Sequence, residues 1–119
     1  MHKILIVDDS RVVADTLVII FGGAGYDARA ASSAEKALEL IADWRPDLAI
    51  LDVILPKTNG IDLAILLRVE CPNWRITLSS GHPATDDLLA AAAASGHTFD
   101  VVAKPVHPEA LLRLASQLG

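Results

Sequence analysis

One cysteine, Cys71, stands among the 119 residues, so no disulfide can close within the chain and no cysteine-based zinc cage can form. Aromatic residues are nearly as scarce, at 4%. Yet 52% of the residues are apolar, so the core has to be built from Val, Ile, Leu and Ala. Long apolar runs are missing too. Stretches such as LVIIF and LLAAAAA fall well short of the roughly 18 residues of a spanning helix, which argues against a membrane segment. No cleavable leader is visible, because the first apolar run leads directly into Asp8. Positive charge is in deficit, with 10 Lys and Arg against 15 Asp and Glu, a net charge of −5. That balance disfavours nonspecific binding of nucleic acid. A cytoplasmic setting is expected.

What is there is an alternation of short apolar runs with helical periods, without repeats, linker-like stretches or charge blocks. Lys3 to Val7 (KILIV) reads as a buried strand. Ser10 can cap a helix whose apolar positions Val13, Leu17, Ile20, Phe21 and Ala24 follow i, i+4, i+7, i+8 spacing; Gly22, Gly23 and Gly25 are expected to end it. Tyr26 to Ala30 is a weaker strand. Ser32 or Ser33 caps a second helix running to about Trp44, stopped before Pro46. Leu48 to Leu51 is a second buried strand, and a loop with Pro56 and Gly60 leads to a helix near Ile61 to Val69. Arg75 to Ser79 is a strand, the fourth helix lies near Thr85 to Ser95, Phe99 to Ala103 is a strand, and the fifth helix follows His107.

Five βα units in succession call for an α/β fold: a doubly wound, five-stranded parallel sheet with helices on both faces. Fully apolar strands agree with a sheet covered on both sides. Strand order 2-1-3-4-5 puts a ligand crevice at the C-terminal ends of strands one and three. Residues 1–119 then form one domain.

Polar groups follow each central strand. Asp8 and Asp9 come after strand one, Asp52 after strand three, Ser79 and Ser80 at the end of strand four, and Lys104 with Pro105 after strand five. Three converging carboxylates raise one another's pKa, so the cluster needs a cation. Hard oxygen ligands without His or Cys favour Mg²⁺, or Mn²⁺. Phosphoryl transfer needs mainly positioning and charge neutralisation, which a metal and the Lys104 ammonium supply, while a Ser hydroxyl donates to a phosphoryl oxygen. Taken singly, each residue has a plainer role. An Asp after a strand caps a helix or makes a turn, Lys104 is solvated, Ser80 is a turn hydroxyl, and Pro56 and Gly60 punctuate a loop. Those roles poorly explain two adjacent acids with a third on the neighbouring strand.

On the stretches ILIVDDS, DLAILDVILPKTNG, ITLSSGH and VVAKP, and on the spacing D-x-x-x-P-x-x-x-G from Asp52 through Pro56 to Gly60, the chain resembles the receiver domains of two-component response regulators. The resemblance covers essentially the whole length. It implies a flavodoxin-like (βα)5 fold and a phosphorylatable switch rather than a turnover enzyme. Asp52 is then the phosphoacceptor, Asp9 a direct metal ligand, Asp8 one acting largely through water, and the backbone carbonyl of Ile54 a further ligand. Lys104 contacts the phosphoryl group, and its bond to Pro105 is cis in similar proteins. The switch hydroxyl is aligned to Ser80, with Ser79 as the alternative. Partners would be a sensor histidine kinase or a histidine phosphotransfer protein upstream, and an output domain or target protein downstream.

Departures matter as well. Similar receivers often carry Tyr or Phe three residues before the lysine, where this sequence has Val101, so coupling by aromatic rotation is not expected, although Phe99 is nearby. The segment 94–100 is slightly longer than in similar proteins. Ile54 and His82 flank the path of the hydrolytic water there, and an apolar Ile54 would shield the acylphosphate. Val18 and Ile19 fall outside the core stripe of the first helix, so one or both should be exposed where kinases dock on similar receivers. Two other functions compete: a receiver-like interaction module that is never phosphorylated, and a flavodoxin-type cofactor binder. The latter needs a Ser/Thr/Gly-rich phosphate loop after strand one, where this chain has acids. A stand-alone receiver and the N-terminal receiver of a longer protein both fit.

Overall fold

Side-chain alternation along the strands decides where each helix packs. In β1 (Lys3–Val7) and β3 (Leu48–Asp52), Ile4, Ile6, Leu48 and Ile50 face one core, while Leu5, Val7, Ala49 and Leu51 face another. Both faces of these strands are therefore apolar, as a sheet buried between two helical layers requires. The computed structural model describes residues 2–81, 85–97, 99–104 and 107–118. With β2 (Asp27–Ala31), β4 (Arg75–Ser80) and β5 (Asp100–Ala103) the strands form one parallel sheet in the order β2-β1-β3-β4-β5. This is the expected architecture.

Helices α1 (Arg11–Gly23) and α5 (Pro108–Ser116) cover one face through Ala14, Leu17, Phe21, Leu111 and Ala115. Helices α2 (Ala34–Ile41), α3 (Gly60–Glu70) and α4 (Thr85–Ala94) cover the other through Ala37, Ile41, Leu63, Ala64, Leu67 and Ala92. Full burial of a side chain such as Phe21 or Leu67 contributes about 1.5–3 kcal/mol. Ser10 and Ser33 cap α1 and α2 as expected, accepting from the N–H of Val13 at 3.5 Å and of Lys36 at 3.2 Å.

Some boundaries differ from the sequence reading. Helix α1 continues through Gly22 and Gly23, and the left-handed residue that ends it is Gly25, at φ 95°. The Tyr26 N–H then donates to the Phe21 carbonyl at 3.0 Å. The buried stripe of α1 runs through Ala14, Leu17 and Phe21, and Ala24 is exposed. Ile19 is 73% exposed, whereas Val18 packs against the core. Helix α2 stops at Ile41 rather than near Trp44. Trp44 leaves the helix to bury its ring, and its indole N–H donates to Asp27 Oδ2 at 3.1 Å. Strand β2 starts one residue later than expected, because Tyr26 packs edge-on against Phe21 with ring centroids 5.9 Å apart. The loop after β3 also contains a small antiparallel ladder, Ile54–Leu55 with Thr58–Asn59, that the sequence pattern did not announce.

Candidate functional site

The chain leaves β1 for β2 on one side and returns to β3 on the other, so the C-terminal ends of β1 and β3 border the point where strand order reverses. Asp8 follows the last residue of β1 and its N–H donates to the Ala31 carbonyl at 3.1 Å. Its Oδ1 accepts from the Ser10 N–H at 2.8 Å, which fixes the carboxylate at the start of α1. Asp52 is the last residue of β3, and its Oδ1 accepts from the Ile54 N–H at 3.2 Å. Asp8 and Asp52 are 4% and 6% exposed, while Asp9 is exposed. Each of the three offers a carboxylate oxygen within 4.8 Å of the others. A convergent set of hard oxygens, without sulfur or imidazole, fits a cation such as Mg²⁺ or Mn²⁺.

Lys104 closes the cluster from the end of β5. Its Nζ donates to Asp52 Oδ2 at 2.8 Å and lies 3.4 Å from Asp8 Oδ2. Its backbone N–H donates to the Ser80 carbonyl at 2.8 Å. Burial alone would lower the lysine's pKa, but the hydrogen bond and charge of Asp52, joined by Asp8, hold it above its ordinary value. For Asp8 burial wins: it raises the carboxyl despite the Ser10 hydrogen bond and the nearby ammonium. Asp52 therefore shares a low-dielectric corner with a second acid and one bidentate cation.

The loop after Asp52 accounts for the D-x-x-x-P-x-x-x-G spacing. Pro56 and Lys57 turn the small ladder, and Lys57 takes the left-handed φ of 65°. Gly60 is required by space: a Cβ there would lie 2.0 Å from the Asp52 carbonyl oxygen. Its N–H instead donates to the Val53 carbonyl at 2.6 Å. Asn59 caps α3, accepting from the Asp62 N–H at 2.8 Å. The sequence reading missed this cap; an Asn just ahead of an apolar helical run was the available signal.

The two candidate hydroxyls differ in placement. Ser79 is buried and pairs in register with Asp52. Ser80 pairs with Ala103 and is half-buried on the strand's last residue. Val101 is 44% exposed on β5, and Phe99 lies beneath the Arg68 guanidinium, 4.1 Å from it. His82, Thr98 and Pro105, with the geometry expected of the Lys104–Pro105 bond, lie outside the described residues.

Residues 4–116 match the family model of the response regulator receiver domain. This chain belongs to the response-regulator receiver family. It is 33% identical over 111 residues to the DNA-binding response regulator MtrA of Mycolicibacterium smegmatis, covering 93% of this chain and 47% of that protein. It is 34% identical over 117 residues to the alginate biosynthesis transcriptional regulatory protein AlgB of Pseudomonas aeruginosa, covering 98% of this chain and 26% of that one. The receiver thus spans about half the length of MtrA and less of AlgB. Among solved structures, the CheY-like receiver domain protein of Methanospirillum hungatei superposes with a TM-score of 0.86 at 25% identity, covering 98% and 92% of the two chains. A response regulator of Chloroflexus aurantiacus gives 0.78 at 33% identity, covering 97% and 94%. The family's function is phosphorylation-based switching. Among the described residues of this receiver, no helix is long and apolar enough to cross a membrane.

Proposed function

We propose that Asp52 is the phosphoacceptor of this receiver and that its donor is a phosphohistidine on a sensor histidine kinase or a histidine phosphotransfer protein. A carboxylate oxygen of Asp52 attacks phosphorus. The new O–P bond forms as the P–N bond to the donor imidazole breaks, and the electron pair of that bond leaves with the imidazole nitrogen. The observation that carries this reading is the Lys104 ammonium 2.8 Å from Asp52 Oδ2 within a cluster of three acids. That ammonium offsets charge on the incoming phosphoryl oxygens. Asp9, Asp8, Asp52 and the Ile54 carbonyl would hold Mg²⁺, with Mn²⁺ as a substitute. When bound, the ion supplies charge neutralisation at the phosphoryl oxygens.

The domain, residues 1–119, works as a switch that catalyses its own phosphorylation and dephosphorylation, in the cytoplasm where such kinases act. Its net charge of −5 disfavours nonspecific nucleic-acid contact of its own, and output passes to a linked domain or a target protein. Acetyl phosphate with Mg²⁺, followed by intact mass, tests the acceptor. One phosphoryl group is expected on the wild type and none on Asp52→Asn. An unmodified wild type, or a group that persists on the variant, overturns it.

We assign the switch hydroxyl to Ser80, at the strand end beside the Lys104 backbone. The register pairing of Ser79 with Asp52 supports the other choice. Ser80→Ala should uncouple phosphorylation from conformational change, read as loss of the phosphorylation-dependent amide shifts in NMR spectra. The same loss in Ser79→Ala alone would move the assignment.

A further inference from the structure

We propose that a cleft at the start of β4 and β5, at the end of the sheet opposite the acids, binds a free mononucleotide. The site does not depend on Asp52 being the acceptor. Arg68 of α3, Trp74 and Arg75 at the start of β4, and Ile76, Phe99 and Asp100 line a cavity of about 350 Å³. That volume is in the range of small-molecule sites. The chain has two Trp, two Phe and one Tyr, and Trp74 and Phe99 both stand here. Each is half-buried against the core and also lines the cleft.

Charge singles the cleft out. On a chain of net charge −5, Arg68 and Arg75 outnumber Asp100 there. In two other clefts the balance is reversed. Glu35 and Asp62 outnumber Lys57 between α2 and α3, and Asp8, Asp15 and Glu39 outnumber Arg11 and Lys36 between α1 and α2. The Arg68 guanidinium lies 4.1 Å from the centre of the Phe99 ring, so a planar cation and a ring are stacked on one wall. Trp74 adds a further aromatic surface on which a base can stack. Arg75 pairs with Asp100 at 3.7 Å, with the side chains 34% and 62% exposed. A pair so long and so open contributes little to stability. A phosphate can therefore take over the guanidinium through two parallel hydrogen bonds. The Asp100 carboxylate is then left to accept from a ribose hydroxyl or a base amino group. Cations alone would suit any anion, and rings alone any apolar ligand. Together with an acceptor carboxylate they suit a nucleotide, which carries a phosphate, a flat base and donor hydroxyls on one small molecule. A polynucleotide shares these groups but brings a run of phosphates to an acidic protein, which the net charge opposes.

The test titrates the full chain with AMP and GMP, whose purines offer the larger stacking face. EDTA is present, so that no metal draws phosphate to the acids. Trp74 fluorescence reads binding, because Trp44, the other indole, is buried. Saturable quenching is expected with at least one of the two. Inorganic phosphate and the matching nucleoside should each bind at least about tenfold more weakly, the loss of a charge-assisted contact or of a stacked base. Arg75→Gln and Trp74→Leu should each weaken the mononucleotide about tenfold. Amide shifts in NMR spectra follow the variants, since Trp74→Leu removes the reporter; in the wild type they should move at residues 74–76 and 99–100. Absence of saturable binding by both mononucleotides overturns the proposal. So does wild-type affinity in either variant, or a shift pattern centred on Asp8, Asp9 and Asp52. Equal affinity for inorganic phosphate overturns it as well, because the rings would then contribute nothing. A short single-stranded oligonucleotide should bind more weakly than the mononucleotide, and tighter binding would make the polymer the ligand and sink the claim. Should Trp74→Leu fail to fold, Arg75→Gln decides alone.

Discussion

The β1–β3 corner and the β5 edge of this receiver are made from the same small apolar alphabet but are held very differently. At the corner, Asp8 and Asp52 are almost fully buried, each is fixed by a backbone N–H, and both are joined by one lysine. At the edge, Asp100, Val101 and Ala103 are exposed on β5. Among the described residues of α4 only Ala92 is buried, with Leu88 and Leu89 partly packed beside it. Groups that must meet a developing charge gain from being placed in advance. A surface with few buried apolar contacts opens and re-packs at low cost. The difference fits a molecule whose chemistry is fixed and whose response is carried by its loosest side.

The largest break of that contrast comes from Gly60→Ala. With a methyl 2.0 Å from the Asp52 carbonyl oxygen, backbone has to move, and a loss of at least about 3 kcal/mol is expected in urea unfolding. The same substitution at Gly22, which lies within α1 and has nothing within 4 Å of its added Cβ, should stabilise by up to about 1 kcal/mol. Equal effects at the two positions would mean that the corner is not tight.

Asp8→Asn sharpens the contrast from the other direction. Burial raises the Asp8 carboxyl above its ordinary value of 3.8. A carboxyl whose pKa is raised by folding contributes stability below its unfolded value and loses it as pH rises through the folded one. At neutral pH without metal, the ionised Asp8 therefore weakens the fold. Asn removes the charge, and its side-chain oxygen can still accept from the Ser10 N–H. The variant should gain on the order of 1 kcal/mol at pH 7, and the gain should vanish as pH falls below about 4. Added Mg²⁺ should then stabilise the wild type more than the variant. Thermal melts across pH, with and without Mg²⁺, check both parts; a variant less stable at pH 7 would refute the first.

How much of this was legible in the residues follows from range. Strands β1, β3 and β4 announced themselves because their apolar runs are short, β-branched and bounded by acids or serines. The acids, the lysine and the Asp52–Gly60 spacing fell at strand ends, so the site could be assembled once the order of strands was known. Trp44 was lost to the second helix because its reason for leaving is a partner 17 residues away, Asp27. Gly22 and Gly23 looked like a stop, but three glycines in four residues do not say which takes the left-handed φ. The small ladder depends on contacts that no local pattern carries.

Within the corner's own loop, Lys57 holds a φ of 65° that a side chain disfavours. Lys57→Gly should relieve this and stabilise by up to about 1 kcal/mol, seen as a rise of a few degrees in Tm. Because the strained residue is three positions before Gly60 rather than in contact with the acids, the phosphorylation rate should stay unchanged. A slower rate would show that the strain helps to aim Asp52.

The smallest effect belongs to the edge. Val101 stands where similar receivers often carry an aromatic ring, and it is 44% exposed. Phe99 cannot substitute, because it packs against the core with the Arg68 guanidinium 4.1 Å from its ring. Val101→Ala should cost no more than about 0.5 kcal/mol and leave the phosphorylation rate at its wild-type value. If the rate shifts by more than about twofold, Val101 is coupled to Lys104, three residues on, and β5 is not the loose side. An unchanged rate would turn attention from β5 to the hydroxyl at the end of β4, the other strand that reaches the acids, as the start of the path outward.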